Sequence, residues 1–281
     1  MRRRSNRAPG PPDPPELPAA ARPRWPPWAG FAAMGSGTVL VVVASLPLLP
    51  VALSSVSDGP LGSVALLVLI LVQDAAYMGT AVAFAWLSGR PRAWQFGVRA
   101  TPLLRTAAIA VVIALGVLAF ELAFTALVNL DDTDTDALGT DEGFVAALAF
   151  SLAAIVVAPV AEELFFRAFL YRALRNRLRV WSACLVNATI FAAVHVQYLF
   201  TPLAFVIIAV FAVGACLAYE LTGSVFAPIA IHAAFNTLAT AGTDAGYVVP
   251  IAVGASVLLA CVLVPARLGR AASPFPPLAR A

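Results

Sequence analysis

Charge is scarce in this sequence, and lysine is missing altogether. Charged residues make up 12% of the 281 residues, hydrophobic residues make up 61%, and all 18 basic residues are arginine. Soluble domains carry about 25% charged residues, so this composition excludes an ordinary soluble fold. The formal net charge of +3 is too small for a nucleic-acid-binding surface, so we expect no nucleic acid partner. Arginine without lysine, together with abundant alanine, is typical of a GC-rich bacterial genome.

Cysteine and histidine are also rare. Cys184, Cys216 and Cys261 stand singly in apolar runs, which excludes a CxxC motif and indicates packing residues. The only histidines, His195 and His232, are too far apart in the chain for an HExxH zinc motif. Residues 1–28 are rich in proline and arginine and contain no short apolar core. They therefore predict a disordered cytoplasmic tail, not a cleaved leader.

Long apolar runs take the place of charge and recur along the whole chain. Most of them approach or exceed the roughly 20 residues that a helix needs to cross a bilayer. We therefore predict an all-α, polytopic transmembrane helix bundle with about eight spans, in the plasma membrane of a bacterium. The predicted spans are about 29–53, 61–88, 103–129, 144–171, 180–198, 203–220, 224–241 and 246–266.

The arginines predict the orientation of the bundle. With eight crossings, all of them except Arg167 fall on one side, and the acidic loop 131–142 falls on the other. Because positively charged loops stay in the cytoplasm, both termini are expected there. The predicted domains are the tail 1–28, a transmembrane domain over 29–268 and a short cytoplasmic tail over 269–281.

The exceptional arginine belongs to the stretch APVAEELFFRAFL, residues 158–170, in the middle of the fourth predicted span. An ionisable residue at bilayer depth costs a few kcal/mol and usually faces a cavity or a partner. Glu163 and Arg167 are four residues apart, so they share a helix face and predict an ion pair, which by itself has a purely structural explanation. Arg167 cannot neutralise Glu162 as well. Two adjacent carboxylates favour holding a proton between them, which suits a general acid or base.

Both histidines lie inside predicted spans. His195 ends FAAVH, with Phe191 four residues before it, and His232 begins HAAFN, with Asn236 four residues after it. Each histidine by itself is also explained as a hydrogen-bonded packing residue. At 1.5 Å per residue, Glu162, His195 and His232 lie about 12–20 Å from the cytoplasmic ends of their spans. We therefore expect the three side chains to meet in one intramembrane site.

The remaining buried polar residues are given structural interpretations. Asp74 is expected to bond to a neighbouring helix, and Glu121 to face the outer interface. Glu220 is placed at a cytoplasmic helix end, and Asn187 between helices. Pro159 and Pro228 precede Glu162 and His232, and each is expected to free a backbone carbonyl.

In this order, EELFFR, FAAVH and HAAFN resemble the EExxxR, FxxxH and HxxxN motifs of the CAAX-protease and bacteriocin-processing family, which includes the prenyl-CAAX proteases. The resemblance covers about 140–245, the expected protease core. It implies an intramembrane glutamate endopeptidase that cleaves membrane-bound or lipidated peptides. Glu162 and His195 would activate water, and His232 and Asn236 would stabilise the oxyanion. The supporting residues would be Glu163, Arg167 and Phe191.

Two questions stay open at the level of sequence. The resemblance implies a mechanism without a cofactor, but Glu162, His195 and His232 are also the ligand types of a catalytic zinc site. The function has alternatives too. A proton-coupled transporter also needs buried carboxylates and histidines, although the sequence has no detectable internal repeat. A non-catalytic bacteriocin-immunity or membrane scaffold protein is the other alternative. The expected partners are the peptide substrate and the lipid bilayer, and the sequence predicts no oligomeric state.

Overall fold

The structure is a computed structural model that describes residues 25–48, 50, 60–128, 144–195, 202–241 and 246–271. Within these ranges the chain forms helices and turns, and no strand. Helix α4 runs without interruption over 144–175. The other helices are α1 (Pro27–Ser45), α2 (Pro60–Trp86), α3 (Leu103–Val128), α5 (Val180–Val194), α6 (Pro202–Thr222), α7 (Phe226–Thr240) and α8 (Val248–Ala271).

These eight helices overlap the eight predicted spans one for one, and they confirm the predicted all-α membrane fold. Six of them (α1 to α4, α6 and α8) are long and apolar enough to cross a membrane. The other two, α5 and α7, have 15 residues each. At 1.5 Å per residue they reach about 22 Å, less than the ~30 Å of a bilayer core. The span count of eight and the cytoplasmic side of both termini therefore stay predictions.

The predicted tails and the acidic loop 131–142 lie wholly or largely outside the described residues. At the N-terminal boundary, however, the structured domain begins earlier than predicted. Trp25 is buried, and its ring packs 4.7 Å from that of Phe96 and 5.1 Å from that of Phe169. Asn176 donates a hydrogen bond to the carbonyl of Trp25. The prediction of disorder up to residue 28 rests on the proline- and arginine-rich composition of the segment, and composition does not show that a single tryptophan, Trp25, packs into the core.

Helix α4 is the centre of the bundle and contacts α1, α2 and α5 to α8. Its residues from Phe165 to Tyr171 are buried in succession, on all sides of the helix. The outer helices show the opposite pattern, since α3 leaves large apolar side chains such as Leu104 and Val112 exposed. An apolar exterior around a polar-containing centre is the arrangement expected for a bundle surrounded by lipid.

Two segments of α4, Ala153–Val157 and Glu163–Tyr171, are π-helical, with one more residue per hydrogen-bonded turn than an α-helix. The amide of Ala158, for example, donates to the carbonyl of Ala153, five residues back. Insertions of this kind are frequent at functional sites. Here the two segments flank Glu162, so they set the direction in which the middle of α4 presents its side chains.

A loop-to-loop contact ties the first half of the bundle to the second. Gly97, which follows α2, accepts a hydrogen bond from the amide of Val225, which precedes α7. Arg99 donates from Nε to the carbonyl of Gly223 at 2.7 Å. Gly97 has a φ of 78°, and a Cβ there would stand 2.7 Å from the ring of Tyr219. This position therefore requires glycine both for its backbone and for its space.

Candidate active site

The ion pair predicted on α4 is confirmed. Arg167 donates from Nη1 to Oε1 of Glu163 at 2.9 Å, and both side chains are fully buried. The guanidinium also donates to the carbonyl of Ala212 at 3.4 Å, and its Cζ lies 4.2 Å from the ring centroid of Phe191. A buried charge is tolerated when it is paired and further bonded, and both conditions are met here.

Glu163 also holds His232. Its Oε1 accepts a hydrogen bond from Nδ1 of His232 at 2.9 Å, across from α4 to α7. Because a carboxylate oxygen only accepts, the proton of this bond lies on Nδ1. The rings of Phe191 and Phe211 stand 6.1 Å and 5.0 Å from the imidazole, both in edge-on arrangements. His232 is thus fixed in one tautomer and one orientation, with Nε2 directed away from Glu163.

The Nε2 atom of His232 lies 3.9 Å from Oε2 of Glu162. This distance is too long for a hydrogen bond but short enough that one oxygen atom can bond to both groups. Oε2 of Glu162 is buried and has no hydrogen-bond partner among the described residues. Glu162 and His232 therefore face each other with one unpaired acceptor between them. Oε2 of Glu163 and Nε of Arg167 are also buried without a hydrogen-bond partner among the described residues.

His195 lies beside Phe191, whose ring also contacts His232. The ring of Phe191 lies 4.7 Å from that of His195. Nδ1 of His195 donates to the carbonyl of Phe191 at 2.8 Å, which leaves Nε2 as the acceptor nitrogen. The resemblance pairs His195 with Glu162, whereas the ion-pair partner of Glu162 in the structure is His232.

The predicted helical span that contains His195 extends too far, and His195 lies just beyond the end of the helix. The predicted span 180–198 carries His195 inside a helix, but α5 ends at Val194. His195 is its C-cap, with φ −82° and ψ 64°, outside helical values. The apolar run continues past residue 195, so hydropathy alone gives no sign of this ending.

Asn236 reaches the same site from α7, where its side chain donates to the carbonyl of Ala154 at 2.6 Å. In this π-helical part of α4, each carbonyl accepts from the amide five residues later, so the carbonyl of Ala154 would accept from residue 159. That residue is Pro159, which has no N–H. The expectation that Pro159 frees a carbonyl is therefore confirmed, and Asn236 fills the missing bond.

The structure also brings to the site a residue that the sequence analysis interprets as purely structural. Asp74 on α2 is only 3% exposed, and it interacts electrostatically with both Glu162 and His232. The predicted bond from Asp74 to a neighbouring helix is not seen for its Oδ2, which has no partner among the described residues. A signal was present in the sequence, because Asp74 is an ionisable residue in the middle of an apolar predicted span, where such residues usually face a cavity or a partner.

Asn187 and Glu220 have structural partners. Asn187 donates from α5 to the carbonyl of Phe166 on α4 at 2.8 Å, which confirms the predicted contact between helices. Glu220 lies two residues before the end of α6, which confirms its place at a helix end, and it is buried and accepts hydrogen bonds from Tyr171 and Arg175. Both side chains brace the middle and the end of α4.

The zinc alternative finds no ready site in this geometry. Among the described residues, no group of three or more His, Cys, Asp and Glu side chains is arranged to hold a metal ion. The residues as placed therefore do not fit a three-ligand zinc centre, and a mechanism without a metal stays a prediction.

Comparison with known families identifies the matched part of the chain. Residues 144–238 match the family described as type II CAAX prenyl endopeptidase Rce1-like. This segment runs from the start of α4 into α7 and contains Glu162, His195, His232 and Asn236. No curated protein and no solved structure matches the chain. The resemblance stated from the three motifs is thereby confirmed, and the match supports CAAX-type protease activity in a multi-pass membrane protein.

Proposed function

We propose that this chain is an intramembrane endopeptidase that hydrolyses peptide bonds in membrane-associated or lipidated peptides, on the premise that residues 144–238 form its catalytic core. The observation that carries the proposal is the facing pair of Glu162 and His232, 3.9 Å apart, within that core. A largely buried, preorganised site of this kind strengthens every electrostatic interaction with a reacting group.

Glu162 is the base in this proposal. Its Oε2 has no hydrogen-bond partner among the described residues, so it is available to take a proton from a water molecule. The water oxygen then bonds to the carbonyl carbon of the peptide. Glu162 passes the proton to the leaving nitrogen as the C–N bond breaks, and the products are a carboxylic acid and an amine.

The two histidines have different tasks. His195 presents Nε2 as an acceptor, because its Nδ1 donates to Phe191, and it orients the attacking water. His232 is held on Nδ1 by the Glu163 carboxylate, and its Nε2 lies on the side of Glu162. When His232 also carries a proton on Nε2, that N–H donates to the oxyanion that develops on the carbonyl oxygen.

Asn236 supplies a further donor. One N–H of its amide is bonded to the carbonyl of Ala154, and an amide group carries two such donors. Its attachment to α4 fixes the position of the amide relative to Glu162, and the second N–H is directed to the oxyanion. Glu163 and Arg167 keep the whole arrangement in place and do not touch the substrate.

The test is proteolysis in liposomes that contain the purified protein. Wild type, Glu162→Gln and His195→Ala are incubated with a library of lipidated and transmembrane peptides, with and without a zinc chelator. Mass spectrometry identifies new termini. Glu121→Gln is the matched control, because Glu121 is a partly buried carboxylate on α3, away from the site.

We expect cleavage by wild type and Glu121→Gln, with and without the chelator, and none by the other two variants. Equal cleavage by all four proteins would refute the site. Cleavage that the chelator abolishes and zinc restores would refute the metal-free mechanism. An absence of cleavage by wild type, combined with a proton flux into the vesicles, would favour the transporter alternative.

A further inference from the structure

Asp74 lies on the face of α2 that points into the bundle. Asp74, Tyr77, Ala81 and Ala85 recur every three or four residues along α2, and all four are buried. Their neighbours Met78 and Val82 are exposed. The carboxyl group of Asp74 is thus built into the core and not directed to lipid.

Two ring contacts show which part of α4 lies opposite Asp74. Tyr77, almost one turn after Asp74, packs 5.0 Å from Phe165, almost one turn after Glu162. Phe96, which follows α2, lies 6.5 Å from Phe169, further along α4. The two helices therefore run in the same direction, and Asp74 lies level with Glu162. The electrostatic interaction of Asp74 with Glu162 and His232 agrees with this placement.

Few ionisable groups face Asp74. The segment Pro27–Ser45 of α1, which packs on α2, contains none, and neither do residues 148–157 of α4. Tyr77 lies on the same helix, and Glu162 and His232 lie opposite. Glu163 and Arg167, beyond them, are already paired with each other.

Asp74, Glu162 and Glu163 therefore place three carboxyl groups in this part of the core, where Arg167 supplies one permanent positive charge. Glu163 neutralises that charge through its ion pair with Arg167. Oδ2 of Asp74 and Oε2 of Glu162 both lack a hydrogen-bond partner among the described residues. Two further buried negative charges without partners would cost several kcal/mol, whereas one proton shared between two carboxyl groups removes most of that cost.

We propose that Asp74 is a positioning residue of the site, which holds a proton and donates it in a hydrogen bond to the carboxylate of Glu162. This inference rests on the proposed function, because it assigns to Asp74 the task of keeping Glu162 ionised as the base. A hydrogen bond to the charged form of a carboxyl group stabilises that form, so this bond keeps Glu162 available as the proton acceptor. Asp74 itself never touches the peptide.

The proton on Asp74 is tested without any substrate. Infrared spectra of the purified protein at neutral pH are compared for wild type, Asp74→Asn and the control Glu121→Gln. We expect Asp74→Asn to lose the band of a protonated, desolvated carboxyl group. A spectrum in which that band persists would overturn the proposal, whatever the peptidase activity.

Kinetics then test the donation to Glu162. Asn at position 74 keeps a donor, whereas Leu removes it. We expect Asp74→Asn to stay within about 3-fold of wild type, and Asp74→Leu to lose about 10- to 100-fold in kcat with KM unchanged, as expected for a lost hydrogen bond to a charged group. In Asp74→Leu the acidic limb of the kcat profile moves to higher pH, because Glu162 then gains its proton more easily.

A structural role for Asp74 would give a different result. Thermal unfolding in detergent identifies variants that are merely unstable. If both variants lose the same activity, or if the acidic limb does not move in a folded Asp74→Leu protein, Asp74 does not act through Glu162. If wild type cleaves no peptide, the proposed function fails, while the infrared band still decides whether Asp74 holds a proton.

Discussion

Glu163 bonds to both Arg167 and His232, and we therefore predict substitutions that restore stability without restoring activity. Oε1 of Glu163 accepts from both Arg167 and His232, each at 2.9 Å. Glu163→Gln keeps the shape of the side chain but removes its charge, and it leaves the fully buried guanidinium without a counter-ion. Removing one partner of a buried ion pair costs about 3–5 kcal/mol.

The other contacts of Arg167 reduce that cost. Its guanidinium keeps the bond to the carbonyl of Ala212 and its position over the ring of Phe191. A cation over an aromatic ring contributes about 0.5–2 kcal/mol. We therefore expect Glu163→Gln to lower the free energy of unfolding by about 2–4 kcal/mol. The measurement is a titration of the protein from mild detergent into SDS.

A double variant combines Glu163→Gln with Arg167→Met, so that the positive charge of the pair is removed as well. Replacement of both members of a buried ion pair by uncharged groups of similar volume is often neutral. The double variant should therefore regain most of the stability that Glu163→Gln loses. Its activity should remain low by on the order of 100-fold, as after loss of an oxyanion donor, because His232 no longer has a carboxylate on Nδ1. Recovery of both quantities would refute the separate role of Glu163 towards His232, and a Glu163→Gln variant as stable as wild type would refute the ion-pair argument.

Further predictions concern the backbone of α4 and the packing of α8. Asn236→Ala should lower the free energy of unfolding by about 1–3 kcal/mol, because it leaves a buried carbonyl unpaired. The double variant with Pro159→Ala should recover part of this loss by restoring an N–H; no recovery would contradict the assigned role of the amide. Gly254→Ala should cost about 1–3 kcal/mol, because its Cβ would collide with Thr237. Gly116→Ala, with open space around it, is the control and should have no such effect, and equal thermal shifts would contradict the packing argument.

Local spacing in the sequence predicted part of the site correctly. Glu163 and Arg167 are four residues apart on one helix, so their pairing requires no knowledge of the rest of the fold. The helices themselves follow from the apolar runs, because a backbone in lipid has to bond to itself. The bond from Asn187 to a neighbouring helix follows from the same scarcity of partners.

Other features depend on the packing of distant segments. The partner of Asn236 is set by the π-helical register of α4, which adds a residue to the turn and leaves no trace in hydropathy. Asp74 belongs to no motif, and its relation to Glu162 exists only because α2 lies alongside α4. The end of α5 at Val194 is invisible in a run that remains apolar beyond it.

The contact between the loops after α2 and after α6 has a consequence for biosynthesis. Its hydrogen bonds join Gly97 to Val225 and Arg99 to Gly223, which is 124 positions further along the chain. A nascent chain can insert α1, α2 and α3 early, but these hydrogen bonds between the two loops cannot form until the ribosome has added residue 225. Helix α3 therefore waits until late in translation for α6 and α7, the helices on which it packs. A stalled chain that ends before α7 exposes these unpaired groups to the quality-control proteases of the membrane.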